Sequence, residues 1–462
     1  TEHKAAAARH YRSPVRLHML FKILIAIIMS CASVWAQVDN SGIAAATGNG
    51  SSGTGMLTPA PISGEGYSMD FTSETRANYL RGGLVFSSAY DTDATTSVNG
   101  QSVSDASYSL WPTISLDQRR SRFHWVLNYS PGFTLYQKNN ALNQANQNLG
   151  INLSYCLRPH LTLSLRDSFL KTSNVLNQPN QDFAQPVSGA VSVPNESVIA
   201  PLADVLSNTA NVSLNYQFSP NGMIGASGAF ANLHYSNQSQ VSGLGDSSSR
   251  TGSAFYNRRL SKMHYVGATY QYQDFLAYPT IGQSETTAHS VLLFYTLYLK
   301  PTVSISVFGG PQYSNTLQVG LPATTGWSPA GGGSMGWQGR LTSFAFSASR
   351  AINDSGGLAG AVEAISTTAS VRRQIARNLS ASVRGSYADN NMLDPLAIFN
   401  TSGHTVSGSA SVQRQVGEHF NFQLQYMHLH QTYSDVAVLS AVPNRNRVAA
   451  SISYQFSRPL GE

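Results

Sequence analysis

Charge is what this chain has least of. Only 11% of its 462 residues are Asp, Glu, Lys or Arg, against roughly a quarter in an ordinary soluble domain. So few ions cannot coat a water-facing surface. Long apolar runs are missing too. No window after residue 36 holds the ~18 uninterrupted apolar residues that a membrane helix requires, and mean hydropathy is only −0.16. Together these exclude a helical membrane bundle. Carboxylates number 23, and no tight carboxylate constellation, G-x-S-x-G, Walker loop or HExxH occurs. The chain therefore offers no catalytic residue and no metal or cofactor set, and the expectation is that it is not an enzyme. Scattered Ser and His leave a barrel-embedded hydrolase as the alternative. His428 and His430, two apart on one strand face, lack the Cys or carboxylate that would complete a metal site.

What is present is alternation. From about Tyr79 to Phe456, apolar/polar runs of about ten residues come in pairs, each pair joined by a very short turn and separated from the next by a longer polar loop. About ten residues is the length a tilted strand needs to cross a bilayer. Phe123, Trp125, Leu127, Tyr129, Phe133 and Leu135 share one parity, while Asn128, Ser130 and Thr134 occupy the other. The same pattern recurs at Leu149–Tyr155, Leu161–Phe169, Val212–Phe218, Val291–Leu297, Phe422–Tyr426 and Ile452–Phe456. A weaker run at 223 to 235 gives no clear facing, and Pro112 fits a strand only if its missing N–H falls at a bulge. Short turns near 117, 158, 219, 260, 300, 340, 375 and 416 alternate with longer stretches near 91 to 105, 137 to 148, 172 to 208, 236 to 250, 276 to 287, 314 to 328, 352 to 358, 389 to 404 and 432 to 446. The pattern predicts an all-β fold, a transmembrane antiparallel β-barrel of about 18 strands with short periplasmic turns and longer extracellular loops. Strict alternation turns Asp167 and Glu363 toward lipid, where carboxylates are costly, so these sites call for a bulge or a place near the extracellular interface.

The formal charge is +6, yet the basic residues cluster at predicted turns, as at Arg119, Arg120 and Arg122 or Arg372, Arg373 and Arg377. Cations beside anionic headgroups explain them, and no nucleic-acid motif occurs. Upstream of the barrel, residues 1 to 36 read as a signal peptide region with Met19 a credible start. Lys22 precedes the apolar run Ile23–Met29, and Val34-Trp35-Ala36 supplies small residues for cleavage. A rival reading makes Cys31 a lipidated lipobox cysteine. If cleavage follows Ala36, Cys156 is the one cysteine remaining, and no intrachain disulfide forms. Residues 37 to 77, rich in Gly, Ser, Ala and Thr, read as a flexible periplasmic leader. Residues 78 to 456 form the barrel and 457 to 462 a periplasmic tail.

With strands, aromatic strand ends and signal in hand, the chain resembles the bacterial outer-membrane β-barrel class, and more loosely the porin-like barrels of sixteen or eighteen strands. The likeness covers residues 78 to 456 and is architectural. It implies an outer-membrane protein passing small polar solutes, with outer-membrane lipid and the barrel-assembly machinery as partners and a homo-trimer as one possible state. The machinery would read the alternating strand that ends at Phe456. In trimeric porins the third long loop folds into the lumen, so the resemblance nominates Asp182, Glu196 and Asp204, in the stretch 172 to 208, for a constriction. Facing parity puts Arg81, Arg166 and Arg384 on the lumen wall opposite them. The alternative is a non-channel role, such as the barrel of an exopolysaccharide export complex.

Overall fold

The computed structural model describes residues 78–96, 102–172, 198, 204–236, 243–279, 282–300, 302–354, 356–393, 401–434, 436, 439 and 444–460. They build one 18-stranded antiparallel sheet. In chain order the strands are β1 (Tyr79–Thr96), β2 (Ser102–Arg119), β3 (Phe123–Tyr136), β4 (Gln144–Arg158), β5 (Leu161–Thr172), β6 (Val205–Ser219), β7 (Gly222–Tyr235), β8 (Asp246–Arg259), β9 (His264–Tyr278), β10 (Ser284–Lys300), β11 (Val303–Gln318), β12 (Thr324–Gln338), β13 (Thr342–Asn353), β14 (Val362–Ala376), β15 (Leu379–Met392), β16 (Ser402–Val416), β17 (Phe420–Tyr433) and β18 (Asn444–Pro459). Each pairs with its neighbours in sequence, and β1 also pairs with β18 from Tyr79↔Pro459 to Asp91↔Arg447. That last ladder closes the sheet into a barrel and leaves no terminal edge strand.

The two faces follow from the two-residue period of a strand. On β10, Ser284, Thr286, Ala288, Ser290, Leu292, Phe294 and Thr296 are buried, while His289, Val291, Leu293 and Tyr295 are exposed. Leu293 is 64% exposed and its inward neighbour Leu292 only 3%. The large exposed hydrophobic residues of the other strands, among them Phe86, Ile114, Leu214, Val383, Leu424 and Phe456, fall on the same outer face. Water does not stabilise so much apolar surface, whereas a hydrocarbon surround removes its cost of about 25 cal/mol per Å². The barrel is therefore a membrane-spanning one. Inward hydroxyls meet across the strands, as in Ser109 with Thr134 at 2.8 Å and Thr296 with Ser306 at 2.9 Å.

Three details answer questions the sequence raised. Strand β7 turns Ile224, Ala226 and Phe230 outward and Ala231, Leu233 and Tyr235 inward; glycine and alanine at six of its 14 positions are what blurred the periodicity. Pro112 sits at no bulge. The β2–β3 register is the same on either side of it, from Leu110↔Phe133 to Ile114↔Tyr129, and the residues between do not pair. Carrying the register through places Pro112 opposite Pro131, so both missing N–H groups fall in one unpaired patch. Asp167 and Glu363 do face outward, in ladders whose register shifts fall away from them, at Cys156/Arg158 and Gln374/Ala376 by the short turns. Asp167 accepts a 3.1 Å hydrogen bond from Asn208 on β6, and Glu363 is ion-paired with Arg350 on β13.

Strands are also longer than a bilayer demands. β1 and β2 have 18 residues each, and stretches such as 314 to 318 and 324 to 328 that read as polar loop are paired strand. At the other end β18 runs past Phe456 to Pro459.

Candidate functional site

Burial varies round the lumen as well as along it. Toward the short turns the inward side chains of β6 are partly exposed, Asn211, Ser213, Asn215 and Gln217 lining an accessible wall, whereas Asn257, Tyr265, Thr296, Ser304 and Ser343 on β8–β11 and β13 are buried. Toward the long loops the inward side chains are buried: Gln271, Gln312, Asn390, Thr405 and Gln431 have 2% exposure or less. Something fills that half.

The filling is apolar and comes from several walls. Val198 from the β5–β6 connection, Leu233 and Tyr235 of β7, Leu244 after it, Leu358 and Val362 around the start of β14, Tyr433 of β17 and Val436 and Leu439 beyond it form one buried cluster. Because β7 and β14 stand on well-separated parts of the ring, this cluster reaches across the mouth. Around Leu358 the β13–β14 connection is buried as a run. Residues Asp354 and Gly356 to Ala361 are all buried, and Ile352 packs with Phe275 of β9 and Ala288 of β10. Backbone contacts fasten it: Gly245 N donates to Gly357 O at 2.7 Å, and Ile352 N donates to the Gln312 side chain at 3.2 Å. Gly357 has φ +98°, and a Cβ there would meet the Tyr235 hydroxyl at 2.6 Å, so glycine is required twice over.

Beside this plug lies a buried charged group. Asp91 of β1 takes Arg445 of β18 through Nη2 at 2.5 Å and Nε at 2.7 Å, both residues being almost wholly buried. Arg447, one inward position further along β18, is buried as well. Asp105 of β2 is occupied by backbone donors, from Lys138 at 3.1 Å and Asn139 at 3.1 Å. Both Arg445 nitrogens reach the same Asp91 oxygen, Oδ2, and a close Arg–carboxylate pair of this kind suits a dry site. With Asp105 and Arg447 counted, two arginines stand against two carboxylates and the cluster is balanced.

Along the rest of the wall arginine prevails. By alternation with buried neighbours, the inward faces of the paired stretches bear Arg81, Arg119, Arg166, Arg259, Arg372, Arg384, Arg445 and Arg447, against Asp91, Asp105 and Asp117. Arg81, Arg166 and Arg384 thus stand on the inner face of β1, β5 and β15, on separate walls and not in one cluster. Arg166 donates to Asn152 of β4 at 2.9 Å. Asp117 is held by His124 at 3.0 Å. Deeper in, the Trp111 ring lies against Gly132, where any side chain would collide with it.

Of the residues nominated for a constriction, Asp182 and Glu196 lie outside the described residues. Asp204 lies at the foot of β6, where its carbonyl accepts from Ser236 N at 2.9 Å. Val198 of the same β5–β6 connection is buried in the mouth cluster, and the longest described run there is the β13–β14 connection. Sequence reasoning passed over it because 352 to 358 is one of the shorter loops. The signal that could have found it is compositional: Gly356-Gly357-Leu358-Ala359-Gly360-Ala361 is too apolar and small for a solvated loop. Arg445 and Arg447 were equally legible as an inward pair on a membrane strand. His428 and His430 face outward, bonded to Asn446 at 2.9 Å and Asn444 at 2.8 Å. Among the described residues no group of three or more His, Cys, Asp or Glu is placed to hold a metal.

No protein-family model matches the chain, and no curated protein sequence does. Solved structures that resemble it include Pseudomonas aeruginosa OpdK with vanillate, at 9% identity and TM-score 0.38 over 82% of this chain and 99% of that one. Acinetobacter baumannii OccAB2 gives 10% identity and TM-score 0.42 over 82% and 98%. A BenF-like porin from Pseudomonas fluorescens gives 10% identity and TM-score 0.41 over 82% and 99%. The fold assignment rests on the strand pairing itself: a closed antiparallel barrel with an even strand count and an oily girdle has the build of outer-membrane proteins.

Proposed function

We propose that this protein is a porin-like outer-membrane channel that favours small anionic solutes, with its periplasmic half open and its extracellular mouth narrowed by the β13–β14 connection. The short-turn end is taken as periplasmic, the usual orientation of such barrels. One observation carries the reading: arginines outnumber carboxylates on the inner faces of a closed barrel. Fixed charge of one sign on a narrow wall raises the local concentration of the opposite ion and repels its own. Arg81, Arg166 and Arg384 are proposed as wall cations that a passing anion meets in turn.

The test is reversal potential in planar bilayers under a KCl gradient. The purified protein is expected to conduct with a reversal potential on the chloride side, and the triple change R81Q/R166Q/R384Q to move it toward that of a non-selective pore. Ohmic steps with cation preference would defeat the charge argument. The filled mouth favours a second reading, a barrel that carries no free solute and serves an export or surface complex. Silence in bilayers, even after residues 356–361 are replaced by a short turn, would select it.

A further inference from the structure

Between β12 and β13 the wall is incomplete. The ladder joining them runs from Gln338↔Ser343 to Gly331↔Arg350 and stops, yet β12 continues to Thr324, paired along its whole length with β11. Thr324–Ala330 therefore presents a backbone edge that no strand among the described residues covers. Beside this edge is a cleft of about 280 Å³ lined by Ser314 and Thr316 of β11, by Thr324–Ser328 and by Leu393. Residues from both faces of β12 line it, which only a strand with a free edge allows. Open edges are not tolerated in hydrocarbon. Trp327, packed on Tyr313 with ring centroids 5.2 Å apart, and the outward Arg350–Glu363 pair place this edge at the interface.

The strand that should cover the edge is the one that fills the mouth. Ile352 has the outward parity of Phe346, Ala348 and Arg350, but it is 1% exposed and sits inside the barrel against Phe275 and Ala288. Its N–H reaches Gln312 of β11, past β12. The end of β13 has thus turned inward behind the edge it would otherwise pair with. Continuing the observed register puts Ala351 opposite Ala330, Ile352 opposite Pro329, Asn353 opposite Ser328 and Asp354 opposite Trp327. In that position Ile352 would face lipid, where an isoleucine is as well placed as in a core.

We propose that the end of β13, Ala351–Asp354, is a shutter with two seats: inside the lumen, as here, or on the free edge of β12. The first seat narrows the mouth and leaves a cleft in the wall; the second completes the wall and widens the mouth. Both seats bury or lipidate Ile352 and give its backbone N–H a partner, so neither is penalised by an orphaned group. The positive-φ glycines Gly356 and Gly357 supply the pivot. The part of this that concerns solute flow rests on the channel reading above; the two seats do not.

Two engineered disulfides distinguish the seats, in a background carrying C31S and C156S. S328C/N353C can close only with the strand on the β12 edge, since antiparallel partners bring Cα atoms to about 5 Å. A288C/I352C can close only with it inside. In lipid bilayers under mild oxidant, both pairs are expected to cross-link. The oxidised S328C/N353C channel should conduct several-fold more than its reduced form, and the oxidised A288C/I352C channel no more than its reduced form. The proposal is overturned if A288C/I352C closes fully while S328C/N353C does not, or if S328C/N353C closes and conductance stays the same. Should no form conduct at all, the channel reading falls, and cross-linking yield at Ser328 and Asn353 alone still decides whether the second seat exists.

Discussion

Arg350 and Glu363 lie side by side on the outer wall, so neither meets the membrane as an isolated ion. Asp167 has only an amide partner, Asn208. Inside, Asp91 and Arg445 solve a harder problem, because both are buried and without Asp91 two buried arginines, Arg445 and Arg447, would lose their counter-charge. Removing one partner of a buried pair costs about 3–5 kcal/mol, more than the pair itself is worth, since the survivor stays charged in a dry site. Asp91→Asn is accordingly expected to lower stability by about that amount, read as the urea midpoint of unfolding from lipid vesicles. The outer pair should behave differently. Glu363→Gln is expected to cost no more than about 1 kcal/mol, as for charges near the interface, and the double change E363Q/R350Q less than the sum of the singles by the same measurement.

Among elements, the β2–β3 hairpin and the β13–β14 hairpin show two ways a ladder is interrupted. In the first, prolines facing one another remove the donors from both strands at one place, and the register survives. In the second, a strand end leaves its partner and packs elsewhere. That packing depends on close approach, most tightly where Gly357 meets Tyr235. Gly357→Val adds a side chain at φ +98° as well as a collision, and strain of that kind costs on the order of 1–3 kcal/mol. The expected result is a loosened plug in an intact barrel: higher single-channel conductance, with no change in strand content by circular dichroism.

For the molecule as a whole, closure is the decisive event. The β1–β18 ladder joins residues from opposite ends of the barrel, with pairs such as Phe86↔Ile452 and Ser87↔Ser451. Such a contact forms only after the intervening chain is ordered, because its loop-closure entropy is offset by nothing local. Ser88→Pro, opposite Ala450, removes a donor in this seam while leaving every large outward side chain in place. It is expected to abolish the faster-migrating band of unboiled protein on gels, whereas the same change at exposed Leu260 in a short turn should leave that band intact.

How much of this was readable beforehand depends on what each feature rests on. The strand run, the facing of Leu293 or Phe422, the positions of the short turns and the inward parity of Arg81, Arg166 and Arg384 follow from a period of two, which lipid outside and water inside impose on the residues themselves. Where strands rise above the hydrocarbon that imposition lapses: Thr324–Ser328 reads as loop because neither face must be oily, although its backbone is paired. The sequence by itself therefore determined that this chain is a barrel of paired, two-faced strands and where its membrane girdle lies. The tertiary structure alone decided that the β13–β14 segment occupies the mouth, that Asp91 finds Arg445 and that β12 keeps a bare edge. Each of those joins residues distant in the chain, and no local pattern carries a choice made by three-dimensional packing.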